Sequence, residues 1–192
     1  MPVTIWLVTH SSSEANDAGL AAGLIDSPLS ALGRQQAAEL RVRYAAVEGG
    51  PTVAAVDAVV TSSLQRARDT AAIAFAGLPL IVTADARLVE CDFGSWSGRP
   101  REQVDGARLA HIDVPWPDGE SYFDATLRHR AAFDEIARER PGGTVLVVGH
   151  YATWMALEHL VHGRALADVA VEERPWAPGW RYEYHATGEA AS

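Results

Sequence analysis

Four side chains lying far apart in the sequence have the types needed for phosphoryl transfer without a metal: His10, Arg66, Glu90 and His150. A neutral imidazole offers a lone pair for in-line attack on phosphorus, and an ordinary pKa near ~6.5 keeps it available at neutral pH. Charge on the phosphoryl oxygens requires fixed donors, such as an arginine, a second imidazole and backbone N–H groups at a helix start. The departing alkoxide requires a proton, which a carboxylic acid supplies. Singly, these residues read as a structural histidine, a surface arginine or a solvated glutamate. Only shared placement makes them a candidate site.

That placement follows from the elements around them. Val3 to Val8, Val53 to Val60, Leu78 to Val82 and Thr144 to Val148 are apolar runs that predict strands, and Arg181 to His185 predicts an edge strand. Helices are expected between them. Ala37, Leu40 and Tyr44 share one face over Arg34 to Tyr44, and Leu64, Ala67, Ala71, Ala74 and Phe75 repeat at helical spacing. Further helices are expected over Ser121 to Arg138 and Trp154 to Val161. Asp26 to Ser30 reads as a turn with Ser30 as N-cap, and Thr9 to Asn16 and Glu90 to Gly98 read as loops. Alternating strands and helices imply an α/β fold, a three-layer αβα sandwich with a mostly parallel central sheet. Residues 1–192 are expected to form a single domain. Ligands of such sheets bind beyond the carboxyl ends of the strands. Thr9-His10-Ser11, Thr61-Ser62-Ser63 and Gly149-His150-Tyr151 fall there, with Arg66 in the first turn after the second of them.

Composition narrows the ligand class. The formal net charge is −9, which argues against a nucleic-acid partner, since that binding rests on Lys and Arg. A phosphate site in such a chain needs its own local cations. The single cysteine, Cys91, allows no intrachain disulfide. No apolar run reaches membrane-spanning length, and the N-terminus reads as a strand rather than a signal peptide, so a cytoplasmic location is expected. Neither a cofactor nor a metal is expected. His159 and His162 lack a third ligand and read as ordinary helix residues. There is no Gly-x-x-x-x-Gly-Lys phosphate loop, and Ser97 stands where a cysteine-based phosphatase would place its arginine after Cys91. Trp6 and Trp154 read as core, and Trp176 and Trp180, near Pro175 and Pro178, as a cover over it. The expected partner is a small phosphorylated or anionic ligand. Oligomeric state leaves no mark in the sequence.

The ordered segments resemble the histidine phosphatase, or phosphoglycerate-mutase-like, superfamily over nearly the whole chain. His10 in Thr9-His10-Ser11-Ser12-Ser13-Glu14-Ala15-Asn16 matches the phosphate-accepting histidine, and Ser13 and Asn16 match small polar positions lining the pocket. Asp26-Ser27-Pro28-Leu29-Ser30-Ala31-Leu32-Gly33-Arg34-Gln35-Gln36-Ala37 is similar to the family's D-x-P-L-[ST]-x-x-G-x-x-Q-A segment. Ser62 to Ala71 resembles S-x-L-x-R-A-x-x-T-A, which implies that Arg66 binds phosphate. Leu88 to Gly98 resembles L-x-E-x-x-x-G-x-W-x-G, which implies that Glu90 is the proton donor, and Val145 to His150 resembles the strand that ends in the second histidine.

The chain also departs from that pattern. Thr9 replaces an arginine, Ser11 replaces a glycine, and Tyr151 stands where the family has Gly or Ala. Threonine cannot supply the lost bidentate donor, and one missing transition-state donor costs ~100- to 1000-fold in rate. The resemblance therefore implies a phosphomonoester hydrolase acting through His10, with a weak or inactive relative that binds a phosphorylated ligand as the alternative. Arg99 and Arg34 are the expected substitute cations. Asp92, two residues after Glu90, is expected to repel a carboxylated ester, which places a mutase below a phosphatase.

Overall fold

The computed structural model describes residues 1–46, 55–172 and 179–187. Strands β1 (Val3–Thr9), β2 (Ala58–Ser62), β3 (Val82–Asp85), β4 (Thr144–Gly149) and β5 (Trp180–Tyr184) form one sheet in the order β3-β2-β4-β1-β5. β1, β2, β3 and β4 pair in parallel, and β5 runs antiparallel along β1 as an edge. Helices α1 (Glu14–Asp17), α2 (Ala31–Ala46), α3 (Gln65–Ala74), α4 (Arg101–Ala107), α5 (Tyr122–Glu139), α6 (Tyr151–His162) and α7 (Leu166–Ala170) connect and cover it.

The pleat divides the strand residues between two cores, because successive side chains point to opposite faces. Val3, Ile5 and Leu7 of β1 and Val145 and Val147 of β4 pack with Phe133 and Ile136 of α5 and Trp154 of α6. Val8, Leu146, Val148 and Val59 pack on the other face with Leu40 of α2 and Ala67, Ala71 and Ala74 of α3. A sheet with apolar residues on both faces needs helices on both, and the expected three-layer arrangement is observed. Among the described residues no helix is long and apolar enough to cross a membrane.

Two strand expectations shift. The second strand begins at Ala58, and Val53 lies outside the described residues. The third strand is Val82–Asp85, not Leu78 to Val82. Leu78 and Leu80 pack against the second core from a turn, with the Leu78 amide donating to the Phe75 carbonyl at 3.1 Å. Only Leu78 and Leu80 of that run are half-buried, Ile81 and Val82 being exposed, and the ladder with β2 begins at Val82. α2 starts at Ala31, directly after the expected cap, and the Ser30 hydroxyl accepts from the Gly33 amide at 3.1 Å. α6 starts at Tyr151, earlier than expected.

Gly33 shows why the first turn of α2 has no side chain at that point. A Cβ there would lie 1.8 Å from the Ser12 carbonyl oxygen. Gln36, one turn on, accepts from the Ser12 amide through Oε1 at 2.9 Å. The start of α2 is thus docked directly on the loop after β1. Gly33→Ala should lose ~1–3 kcal/mol of stability in urea unfolding through overpacking. Gly106→Ala is the control: its Cβ would meet nothing within 4 Å in α4, so it should be neutral or gain up to ~1 kcal/mol from helix propensity.

Candidate active site

The parallel register of β1 on β4 pairs Thr9 with Gly149. The chain then leaves both strands together, so His10 and His150 emerge side by side with ring centroids 5.0 Å apart. The His10 amide donates to the Gly149 carbonyl at 3.0 Å, which extends the pairing to the nucleophile candidate itself. His10 Nδ1 lies 2.8 Å from the Ser11 carbonyl oxygen. A carbonyl only accepts, so Nδ1 carries the proton and Nε2 keeps the lone pair of the neutral ring.

Arg66, the second residue of α3, is 2% exposed. Its Nε donates to His10 Nε2 at 3.3 Å, while Nη1 and Nη2 donate to the carbonyls of Ile25 and Gly23 at 2.9 and 2.8 Å. Burial pulls its pKa below the usual arginine value, against the opposing fields of Glu90 and Asp26. Asp26 also accepts from the Gln65 amide at the start of α3, at 2.5 Å. Thr70 joins the parts, its hydroxyl donating to the Arg66 carbonyl at 2.7 Å and accepting from the Ser11 amide at 2.9 Å.

His150 is fully buried, and neither ring nitrogen has a hydrogen-bond partner among the described residues. Burial, then the charges of Arg66 and His10, hold its pKa well below the ordinary histidine value, so the ring is neutral at pH 7. An unsatisfied buried donor costs ~1–3 kcal/mol, and an anion between the two histidines would relieve it. The His150 backbone is fixed by its amide, which donates to Thr153 Oγ1 at 2.9 Å. That hydroxyl lies 3.1 Å from Nε2 of the buried His129, whose Nδ1 faces the Ala125 carbonyl at 2.7 Å. The carbonyl makes Nδ1 the protonated nitrogen, so Thr153 donates to His129 Nε2.

Glu90 sits against the start of α6. Its Oε1 accepts from the amides of Cys91 at 2.8 Å and Ala152 at 3.1 Å, and its Oε2 from Tyr151 at 3.2 Å. The amides of Tyr151 and Ala152 are among those that the first turn of α6 leaves without intrahelical acceptors. Oε1 is saturated, so Oε2 is the oxygen with capacity for a proton. Arg128 of α5 holds the loop from behind, donating to the carbonyls of Val89 and Glu90 at 3.2 and 3.3 Å and pairing with Glu120 at 2.6 Å. No motif pointed to Arg128, because its contacts with the loop are to carbonyls that any sequence would supply.

His10, Arg66 and Glu90 border a cavity of about 250 Å³. Of the expected residues, Thr9, His10, Asn16, Arg66, Glu90 and Tyr151 line it. Ser11, Ser13 and His150 are outside the lining. Ser13 is spent on protein structure, its hydroxyl capping α1 by accepting from the Asn16 amide at 3.3 Å. Ser11 serves through its backbone, fixing the His10 tautomer. The expected substitute cations do not enter the cavity: Arg34 is exposed on α2, and Arg99 stacks on Trp96 at 4.3 Å. Arg101 and Arg108 line it instead. Asp92 does not line it either, because its carboxylate accepts from the Gly94 amide at 2.9 Å. Position in the sequence placed these charges near the site, but turn geometry decided which way they point. Trp154 is buried in the core as expected, while Trp176 lies outside the described residues. Among the described residues no group of three or more His, Cys, Asp or Glu is placed to hold a metal ion. His159 Nδ1 lies 2.7 Å from the Arg164 carbonyl, and the His162 ring packs on Tyr182.

The sequence model of the histidine phosphatase superfamily (branch 1) matches residues 5–173. A protein of Mycobacterium tuberculosis named as bifunctional is 34% identical over 156 residues, covering 78% of this chain; the chain spans only 41% of that relative. The glucosyl-3-phosphoglycerate phosphatase of the same organism is 32% identical over 209 residues, covering 92% of this chain and 88% of its own. The structure of the mycobacterial glucosyl-3-phosphoglycerate phosphatase in complex with VO3 superposes with a TM-score of 0.72 at 29% identity, over 87% of this chain and 85% of that one.

The buried His129 has a consequence for stability. Burial, reinforced by the Arg128 charge, pulls its pKa down to about 3. The unfolded chain takes up a proton on it near pH ~6.5 while the folded protein does not. The unfolded state therefore binds more protons, so stability falls as pH drops from about 6.5 towards 3. Urea unfolding of His129→Gln between about pH 6.5 and 4.5 should show a slope shallower than wild type by ~1.4 kcal/mol per pH unit. An unchanged slope would mean that the imidazole titrates freely in the folded protein.

Proposed function

This chain belongs to the histidine phosphatase superfamily, and we propose that it hydrolyses a small phosphomonoester through a phosphohistidine at His10. The observation that carries this reading is the tautomer of His10, with Nδ1–H on the Ser11 carbonyl and Nε2 turned to the Arg66 guanidinium. An arriving phosphate draws the Arg66 N–H onto one of its oxygens and releases Nε2 for attack. A neutral His150 donates its one ring N–H to a second oxygen. Nε2 forms the N–P bond as the ester P–O bond breaks, and the departing oxygen takes a proton from Glu90 Oε2. Water then attacks the phosphohistidine, Glu90 accepts its proton, and the N–P bond breaks to release phosphate. The lining of the cavity by His10, Arg66 and Glu90, with the buried His150 ring beside His10, supports this reading.

The names of the relatives support the phosphate end of the substrate. The vanadate complex supports it as well, since a vanadium oxyanion resembles the phosphoryl group. Thr9 in the cavity wall favours a second reading, in which the pocket binds a phosphate ester without turning it over.

A panel of phosphomonoesters separates the two. His10→Ala should lower turnover by about a thousand-fold or more, as loss of a nucleophile does, and should abolish acid-labile phosphate on the protein. Glu90→Gln should cost ~100- to 10,000-fold, with the larger loss on esters whose alcohols leave poorly. Equal inertness of wild type and His10→Ala across the panel, with ester binding retained, would establish the binding reading instead.

A further inference from the structure

Glu90 gives up a proton and takes one back in the chemistry above, so its carboxylate must stay in one place through both steps. The amides it meets belong partly to its own loop and partly to α6. The place of the carboxylate therefore depends on how the loop from Arg87 to Asp92 is seated against that helix.

One side chain of α5 seats the loop. Arg128 Nη1 donates to the Arg87 carbonyl and, at 3.2 Å, to the Val89 carbonyl. Nη2 donates to the Glu90 carbonyl at 3.3 Å and to Glu120 Oε1 at 2.6 Å, and Nε donates to Glu120 Oε2 at 3.3 Å. A guanidinium has five N–H donors, and these five contacts occupy all of them. Glu120 completes the grip beyond the acid. Its Oε1 accepts from the Asp92 amide at 3.1 Å, and its own amide donates to the Asp92 carbonyl at 3.0 Å. The loop is thus held on both sides of Glu90 by one arginine–glutamate pair. The planar fork sets three carbonyls at once, which a lysine ammonium cannot do.

Arg128 is outside the lining of the cavity, so its effect on a ligand must pass through other residues. Phe133 and Ile136 of α5 share a core with Trp154 and Met155 of α6. The guanidinium therefore ties the loop to the packing that carries α6, and the Glu90 carboxylate closes the circuit on the first amides of that helix. The phosphate end of the site is held by different parts. Arg66 rests on the carbonyls of Gly23 and Ile25, and His10 on the Ser11 carbonyl. Loss of Arg128 should therefore disturb proton transfer and leave the nucleophile in place.

We propose that Arg128, paired with Glu120, is the positioning residue for the acid–base carboxylate. Its grip on the loop keeps Glu90 Oε2 where a proton passes to the leaving oxygen and returns from the attacking water. This rests on the hydrolase reading for the destination of the proton, but the seat of Glu90 is a separate claim with its own readout.

The test compares phenyl phosphate with p-nitrophenyl phosphate, which present the same ring and differ in the leaving group. p-Nitrophenolate departs with little help from an acid, and phenolate needs more. The ratio of kcat/KM for phenyl phosphate to that for p-nitrophenyl phosphate should fall about five-fold or more in Arg128→Ala, because a misplaced acid loses its contribution. Arg128→Lys should recover part of it. In Glu90→Gln the ratio is already low, and adding Arg128→Ala should leave it unchanged, since both substitutions remove one function. A merely structural arginine would slow both esters alike, so an unchanged ratio in Arg128→Ala, or a further fall in the double variant, overturns the proposal. If Arg128→Ala does not fold, Arg128→Lys and Glu120→Gln carry the same comparison. Hydrogen exchange at the amides of Cys91, Tyr151 and Ala152 reads the seat of the carboxylate without turnover. It should quicken about ten-fold or more in Arg128→Ala while the amides of β1 and β4 keep their protection. Quickened exchange in a protein that hydrolyses neither ester would sustain the seat of Glu90 and remove the hydrolase reading. Hydrolysis with an unchanged ratio would do the reverse. Absence of hydrolysis together with unchanged exchange overturns both.

Discussion

The in-register pairing of Thr9 with Gly149 is the constraint on which the site depends. Parallel strands fix register along their whole length, and a slip of one residue would turn every side chain to the opposite face. Here such a slip would also exchange the two cores, so the packing of Ile5, Leu7, Val145 and Val147 on one face holds the register from below. Two imidazoles 5.0 Å apart are therefore produced by the hydrophobic pattern of two strands, without any direct hydrogen bond between the rings. The His10 amide bond to Gly149 is the last rung of the same ladder.

Around that pair the protein buries charge at some cost and meets the cost with backbone groups. Arg66 is enclosed and held mainly by carbonyls of the 23–25 loop. Glu90 is enclosed and held by amides, two of them at the start of α6. Carbonyls and amides are fixed dipoles that need no reorganisation when charge moves, which is the arrangement that favours phosphoryl transfer. It also explains why the segments are ordered as they are. Asp26 fastens the 23–25 loop to α3, Thr70 fastens α3 to the loop after β1, and Gln36 fastens that loop to α2. Thr70, Gln36 and Ser13 do not touch the cavity, yet each holds a residue that does.

Much of this was legible in the residues. His10, Arg66, Glu90 and His150 could be grouped because strand ends and helix starts are marked by local pattern, and pattern is a property of neighbouring residues. Ser30 as a cap follows from the same local rules, whereas the close approach of Gly33 to Ser12 does not, because it joins α2 to the loop after β1. The directions of long side chains were not legible. Arg34 and Arg99 lie close to the site in sequence yet point elsewhere, and Asp92 turns onto an amide. Ser13 closes a helix cap instead of lining the cavity.

The sequence by itself determined the sheet, its two apolar faces and the identity of the groups at its carboxyl edge, because periodic burial and short-range capping are written in adjacent positions. Only the tertiary structure decided that Arg101 and Arg108 join Thr9 in the cavity wall, and that Tyr151 supports a guanidinium. Those contacts join α4 and the residues just after it to α6, elements separated by dozens of positions in the chain. Their geometry depends on how the loops close over the sheet, which no local pattern records.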